Sequence, residues 1–247
     1  MNESSTPALN ADLDAPPTQG AFPVWMKVFT KPGEKTFLEI LAHPEAKAKS
    51  AYLWVFLVGT LTGLISGLTQ FAATLVGLRQ IAPELGQMSG FAGLFGTAGL
   101  VGALCGAPLA GVFSLIGFII GVAIIHGTAR FLGGQGNFDQ MAYAFGAIVA
   151  PLSLVSGLLV PFNLIPFVAV CILPLLILLG LYALYLEVAA IKAVHRFGWG
   201  GAAAALLLPT ILLGLLCGVL FVGMLRIAGP SFYDIFQQMR QLQTGMR

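Results

Sequence analysis

Charged side chains are scarce in this chain. Asp, Glu, Lys and Arg make up 9% of its 247 residues, whereas a soluble domain carries about 25%. This shortage excludes an ordinary soluble globular protein. The net charge is only +2, which excludes the strongly basic surface of a nucleic-acid-binding protein. The cysteines, Cys105, Cys171 and Cys217, lie in apolar stretches without disulfide or metal spacing, so we interpret them as small apolar side chains.

Catalytic motifs are also lacking. The sequence contains no His-Glu-x-x-His motif, no pair of intramembrane aspartates and no Gly-x-Ser-x-Gly motif. The hydroxyl residues Ser114, Ser153 and Ser156 have no acid and histidine partners at a matching depth. The sequence therefore offers no set of catalytic residues for a lipid-modifying enzyme. We expect a protein that is not an enzyme and uses no cofactor or metal.

What the chain does contain is four long stretches without charge. They cover residues 50–78, 85–129, 140–186 and 197–225. A bilayer core about 30 Å thick is crossed by roughly 20 helical residues. These stretches predict an all-α integral membrane protein with several transmembrane helices.

The number of spans depends on the stretch 85–129. Residues 140–186 divide cleanly at a Val-Pro-Phe-Asn turn at 160–163, which predicts two spans. The stretch 85–129 predicts one span at about 108–127, or two if residues 91–105 also cross. Four glycines weaken a helix over 91–105. We therefore expect five transmembrane helices, with six possible.

The chain divides into four regions. Residues 1–22 form a polar tail predicted to be disordered, and residues 50–227 hold the spans. Residues 23–49 form an amphipathic segment that either lies in the lipid headgroup region or packs against the bundle end. Residues 228–247 predict a further amphipathic helix lying on the membrane surface.

Lys and Arg are distributed unequally between the two sides of the membrane. With the N-terminus in the cytoplasm, five spans place more of them inside, as the positive-inside rule requires. The six-span alternative gives the same ratio, so charge predicts the orientation and leaves the number of spans open. The five-span model places inside Lys27, Lys31, Lys35, Lys47, Lys49, Arg130, Lys192 and Arg196, and outside Arg79, Arg226, Arg240 and Arg247.

Two sets of glycines have the four-residue spacing that allows close contact between helices. Gly59, Gly63 and Gly67 lie in the first span, and Gly214 and Gly218 lie in the last. Such strips let two helix backbones approach one another. The contact can form within one chain or between two chains of a homo-oligomer.

A candidate polar cluster lies where spans meet the predicted cytoplasmic side. It consists of Arg130, Glu187, Lys192 and His195. A carboxylate at the membrane edge needs a partner, so we expect an ion pair between Glu187 and Arg130 that clamps two hairpins together. A proton or substrate site is the alternative.

Two further features lie near this cluster. His126 and His195 without a third ligand make a poor metal site. The glycine-rich loop 133–136 is interpreted as a tight turn, with Asn137 capping the next helix, and alternatively as a nest for an anion or lipid headgroup.

Three patches occur in a fixed order along the chain: residues 30–34 with Phe37, residues 126–127 and 132–138 with Pro151, and residues 186–195 with Pro209. Together they resemble the Yip-domain family of Rab-GTPase-interacting membrane proteins, in its short bacterial form. The resemblance implies five spans, a cytoplasmic N-terminus and a bacterial inner-membrane location. Eukaryotic relatives bind prenylated small GTPases in vesicle trafficking. This chain lacks their long N-terminal region, and bacteria lack Rab proteins, so that role is not carried over.

Two functions remain open at this stage. The first is a non-enzymatic membrane scaffold that interacts with membrane lipids and with a protein partner or a second copy, but not with nucleic acid. The second is a small transporter or channel component. Its support is thin, because only Gln70 and helices kinked by Pro151, Pro174 and Pro209 offer features deep in the bilayer.

Overall fold

The computed structural model describes residues 20–81 and 89–245, with side chains described for 20–77, 98–165, 167–224 and 226. Within these ranges the secondary structure is helical. A short 3₁₀ helix, Val160–Leu164, joins the fifth and sixth α-helices. The α-helices are α1 (Ala21–Thr30), α2 (Glu34–Leu41), α3 (Ala48–Ile81), α4 (Ser89–Phe131), α5 (Phe138–Leu159), α6 (Pro166–His195) and α7 (Trp199–Gly245).

Five of these helices are long and apolar enough to cross a membrane. The stretch 85–129 contributes one span, because α4 continues through Pro108 without a break. The sixth span considered for residues 91–105 is therefore wrong. The expected single span at 108–127 is also too short, since α4 is helical from Ser89 and its residues Ala98–Phe131 are all part of the apolar span. The spans are Ala48–Gly77, Ala98–Phe131, Phe138–Leu164, Phe167–His195 and Trp199–Met224.

The predicted hairpin between the third and fourth spans is confirmed. The turn falls on the 3₁₀ helix Val160–Leu164, and Ile165 then adopts an extended conformation, with φ −105° and ψ 103°. A residue before proline avoids the helical region. Pro166 occupies the start of α6, where a backbone N–H would have no partner within the helix, so that its absence costs nothing.

The spanning helices pack most closely at one end of the bundle. There α4 and α6 end and α3, α5 and α7 begin, and we call it the capped end. Residues 141–148 of α5 are all buried. In α6 no residue described between 167 and 185 is buried, whereas Leu186 and most residues after it are. The side chains on the rest of α6 and on residues 211–224 of α7 are available to lipid.

Helices α1 and α2 form a cap, residues 21–41, over this end. Val24 and Val28 of α1 and Phe37 and Ile40 of α2 are fully or almost fully buried, with α1 packed against α5 and α2 against α6. Of the two placements left open for the amphipathic segment, the structure shows packing against the bundle end.

The two terminal regions of the expected division lie largely outside the described residues or side chains. Helix α1 begins at Ala21, inside the predicted polar tail 1–22, and residues 1–19 lie outside the described residues. Helix α7 continues as one helix from Trp199 to Gly245, so the predicted C-terminal segment 228–247 begins as a continuation of the last span. Its side chains lie outside the described residues.

Candidate functional site at the capped end

An aromatic layer joins the cap to the spanning helices. The ring of Trp54 in α3 lies 5.9 Å from that of Trp25 in α1 and 5.2 Å from that of Tyr143 in α5. The hydroxyl of Tyr182 in α6 donates a hydrogen bond of 2.8 Å to the backbone carbonyl of Phe29. Rings of this kind, apolar with a polar tip, suit the membrane interface.

Lys192 connects the cap to the last two spans. Its Nζ lies 2.6 Å from Oε2 of Glu34 in α2 and 4.8 Å from the ring centre of Trp199 at the start of α7. One ammonium group therefore holds an acid of the cap and an aromatic ring together.

A second ion pair lies within the cap. Lys27 Nζ of α1 lies 2.7 Å from Oε2 of Glu39 in α2. The hydrogen bond from Lys27, and next its positive charge, lower the pKa of Glu39 below its ordinary value of 4.5. This pair is exposed to solvent, unlike most contacts of the cap.

The expected ion pair between Glu187 and Arg130 is not formed. Arg130 is exposed at the end of α4, and the ion pairs of the described residues are those of Lys27 and Lys192. Glu187 instead lines a cavity of about 240 Å³ between α3, α4, α5 and α6. The four residues of the predicted cluster therefore lie at the capped end without forming one site.

His195 anchors the glycine-rich loop. It is 2% exposed, and its Nδ1 accepts a hydrogen bond of 3.1 Å from the N–H of Gly136. A Cβ on Gly134 would lie 2.5 Å from the same nitrogen, so the loop backbone lies directly against the imidazole ring. The ring centre of His126 is 5.0 Å away.

The loop itself is a tight turn. Gly133 has φ +94°, a left-handed conformation that favours glycine. The side chain of Asn137 accepts a hydrogen bond from the N–H of Asp139 and caps α5, as expected. The part of the chain that the structure describes holds no group of three His, Cys, Asp or Glu side chains arranged to share a metal ion.

The two glycine strips have different surroundings. A Cβ on Gly59 would lie 2.7 Å from Cβ of Ser114, and one on Gly67 would lie 3.0 Å from Cα of Ala103. Gly63 meets Ala110 in the same interface, so this strip packs α3 against α4 within the chain. A Cβ on Gly214 or Gly218 would meet nothing within 4 Å, and both residues are exposed.

Several residues of this end were missed from the sequence. Glu34 and Trp199 were not paired with Lys192, and His126 and His195 were placed on the same side of the membrane without a contact between them. Each of these contacts joins residues on different helices, so no periodicity within one helix could reveal it. The sequence placed Glu34 and Lys192 on the same side of the membrane, which was the only signal for this pair.

Comparison with protein families gives one result. The family model described as the Yip1 domain matches residues 26–221, which is most of the chain. Comparison with curated proteins and with solved structures found no match. The matched region begins within α1 and ends within α7, and so it includes most of the cap, four complete spans and most of the fifth. The chain belongs to the Yip1 domain family of membrane proteins.

Proposed function

We propose that the protein is a non-enzymatic scaffold of a bacterial inner membrane, with its capped end in the cytoplasm and bound to anionic lipid headgroups. The observation that carries this proposal is the charge of the capped end. Among the described residues, the exposed basic ones there clearly outnumber Glu45 and Asp139, the acids that lie neither in an ion pair nor in the bundle. The exposed basic residues are Lys31, Lys35, Lys47, Lys49, Arg130 and Arg196.

Apolar side chains accompany these charges. Phe22, Met26 and Leu38 of the cap are 68%, 47% and 48% exposed, and Phe131 at the end of α4 is 87% exposed. Apolar side chains beside basic ones are typical of surfaces that lie in the headgroup region of an anionic leaflet. Because α1 and α2 are fixed by buried side chains, this surface is held in place for a lipid or a protein partner.

The orientation is tested by labelling single cysteines. In a variant without the native cysteines, Asn163→Cys lies at the exposed hairpin tip, opposite the capped end, and Lys47→Cys lies at the capped end. An impermeant maleimide added to intact spheroplasts should label the first variant only, and should label the second after permeabilisation. The reverse pattern would overturn the proposed orientation.

Lipid binding is tested with the lysines of the capped end. The full-length protein carrying Lys31→Gln, Lys35→Gln, Lys47→Gln and Lys49→Gln is purified from a mixed bilayer, and the retained lipid is quantified by mass spectrometry. We expect anionic lipid to fall severalfold relative to zwitterionic lipid, since each basic residue near the surface contributes about 1 kcal/mol. Arg226→Gln is the matched control, because Arg226 is exposed on α7 at the end of the last span that is opposite the capped end. Equal retention by wild type and the lysine variant would overturn the proposal.

A transporter is the second candidate. Gln70 and Thr74 line a gap of about 490 Å³ between α3 and α4, together with Gly99 and Gly102. Transporters commonly use interrupted helices at their sites, however, whereas α5 and α6 continue through their internal prolines. Solute flux in liposomes that Gln70→Leu abolishes would favour this function over the scaffold.

A further inference from the structure

Glu187 lines a cavity whose other lining residues are uncharged. Glu187 belongs to the span Phe167–His195 and has neither an ion pair nor a side-chain hydrogen bond among the described residues. An ionisable group inside the membrane is costly unless a partner compensates it. The rest of the cavity wall consists of Val55, Ser114, Phe118, Gly121, Val122, Ile125, Phe145 and Val149.

The nearby cations of the protein are engaged elsewhere or lie outside the cavity. Lys192 is five residues further along α6, about 7.5 Å nearer the helix end, and is held by Glu34 and Trp199. Arg130 is exposed at the end of α4. A cation that reaches Glu187 would therefore come from outside the bundle.

A groove between α4 and α7, open to the lipid, adjoins this cavity. It encloses about 520 Å³, and Gly121 and Ile125 line both the groove and the cavity. Ile124 and Leu212, on the two sides of the groove, are 48% and 59% exposed. The remaining lining residues are apolar apart from Thr128 and Thr210. An alkyl chain fits such a groove, because it exchanges contact with lipid for contact with equally apolar side chains.

We propose that the groove and the cavity together bind an amphiphile that carries a protonated amine. Its alkyl chain lies between α4 and α7, and its ammonium group meets the carboxylate of Glu187, with the Ser114 hydroxyl as a further acceptor. Charge complementarity favours this ligand, since an anionic or uncharged amphiphile leaves the carboxylate unpaired. The site is independent of the basic surface of the capped end, which attracts the opposite charge.

The test uses a long-chain alkylamine with a diazirine in its chain. The purified full-length protein in a nonionic detergent is irradiated with this probe, and labelled peptides are identified by mass spectrometry. We expect labelling of α4 and α7 around Gly121 and Leu212. Glu187→Gln should reduce this labelling about tenfold, whereas Asp139→Asn, which changes an exposed acid, should not. Undiminished labelling of Glu187→Gln would overturn the proposal.

A second variant fills the place where the groove and the cavity adjoin, without changing the charge. A Cβ on Gly121 would meet nothing within 4 Å, so Gly121→Leu fills the shared wall without disturbing the backbone. Gly117→Leu is the matched control, because Gly117 also faces open space on α4 and does not line the groove. Labelling should fall with Gly121→Leu only, and an equal loss in both variants would overturn the proposal. Unfolding temperatures verify that each variant is folded.

Competition experiments distinguish an amphiphilic amine from a soluble cation and from an uncharged amphiphile. An unlabelled alkylamine of the same length should displace the probe, whereas the corresponding alcohol and the short amine methylamine, at equal concentration, should not. Displacement by the alcohol would show that the carboxylate does not select the headgroup. Displacement by methylamine would show that the ligand is a soluble cation and not an amphiphile, and either result would overturn the proposal.

Discussion

Lys192 of α6 places its Nζ 2.6 Å from the carboxylate of Glu34 in α2. This ion pair joins the cap to a spanning helix, and it is partly shielded, since the side chains are 19% and 39% exposed. The apolar contacts of Phe37 and Ile40 lie on the same helix of the cap. Docking of α2 therefore combines buried apolar area with one shielded charge pair and the ring of Trp199.

Replacing Lys192 should loosen the cap. Lys192→Met keeps the length of the side chain but removes both the ion pair and the cation–π contact, which together contribute about 1 kcal/mol. Amide hydrogen exchange in α2 should accelerate about fivefold. Lys35→Met, which changes an exposed lysine of α2 itself, should leave the hydrogen exchange of α2 unchanged. Equal exchange in wild type and Lys192→Met would show that the pair does not hold the cap.

Acid should weaken the contact between α1 and α2. Because Lys27 holds the pKa of Glu39 below its ordinary value of 4.5, the ion pair stabilises the cap fully above that pH. The stabilisation is lost as the pH falls through the lower value of the folded protein. An NMR titration of the Glu39 carboxyl should give a midpoint below 4.5, and Lys27→Met should raise it. A midpoint that Lys27→Met leaves in place would contradict this assignment.

Enlarging the glycine strip of α3 should destabilise the bundle. Gly63→Ala forces a methyl group into contact with Ala110, and overpacking of this kind costs about 1–3 kcal/mol. Gly102→Ala is the control, since its Cβ meets nothing within 4 Å and alanine favours a helix over glycine. Unfolding in mixed detergent micelles measures both variants, and similar stabilities would argue against tight packing of α3 on α4.

Removing the ring nitrogens of His195 should release the glycine-rich loop. His195→Phe keeps a ring but leaves the N–H of Gly136 without its acceptor, which costs about 1–3 kcal/mol. Exchange of the Gly136 amide should become faster, while exchange in the middle of α5 should change less. His43→Phe serves as control, because Nδ1 of His43 makes no hydrogen bond with any described residue. An unchanged Gly136 amide would mean that water or another group replaces the histidine.

Much of the fold could be predicted from the order of residues along the chain. The uncharged stretches required membrane helices, because lipid offers no partners for backbone N–H and C=O groups and a helix satisfies them internally. The turn at Pro161 could also be predicted, because proline and asparagine favour a turn within their own short segment. The stretch 85–129 was harder, since its glycines weaken a helix in water, whereas α4 is supported in the structure by packing against α3.

The candidate site could be predicted much less well. Gly59 and Gly214 have the same spacing to their neighbours, yet one packs α3 against α4 and the other is exposed. Arg130 and Glu187 lie near the same end of the bundle, but no ion pair joins them.

The sequence by itself determined that the protein is helical and lies in a membrane, and it left five or six spans open until α4 was seen as one helix. Hydropathy, charge and proline position act within single helices, so they can be recognised one segment at a time. Only the tertiary structure decided which partner each polar side chain has, that Lys192 meets Glu34, that His195 receives the Gly136 amide, and that Glu187 faces an uncharged cavity. Those contacts depend on how helices rotate and pack, and that packing is a property of several segments together.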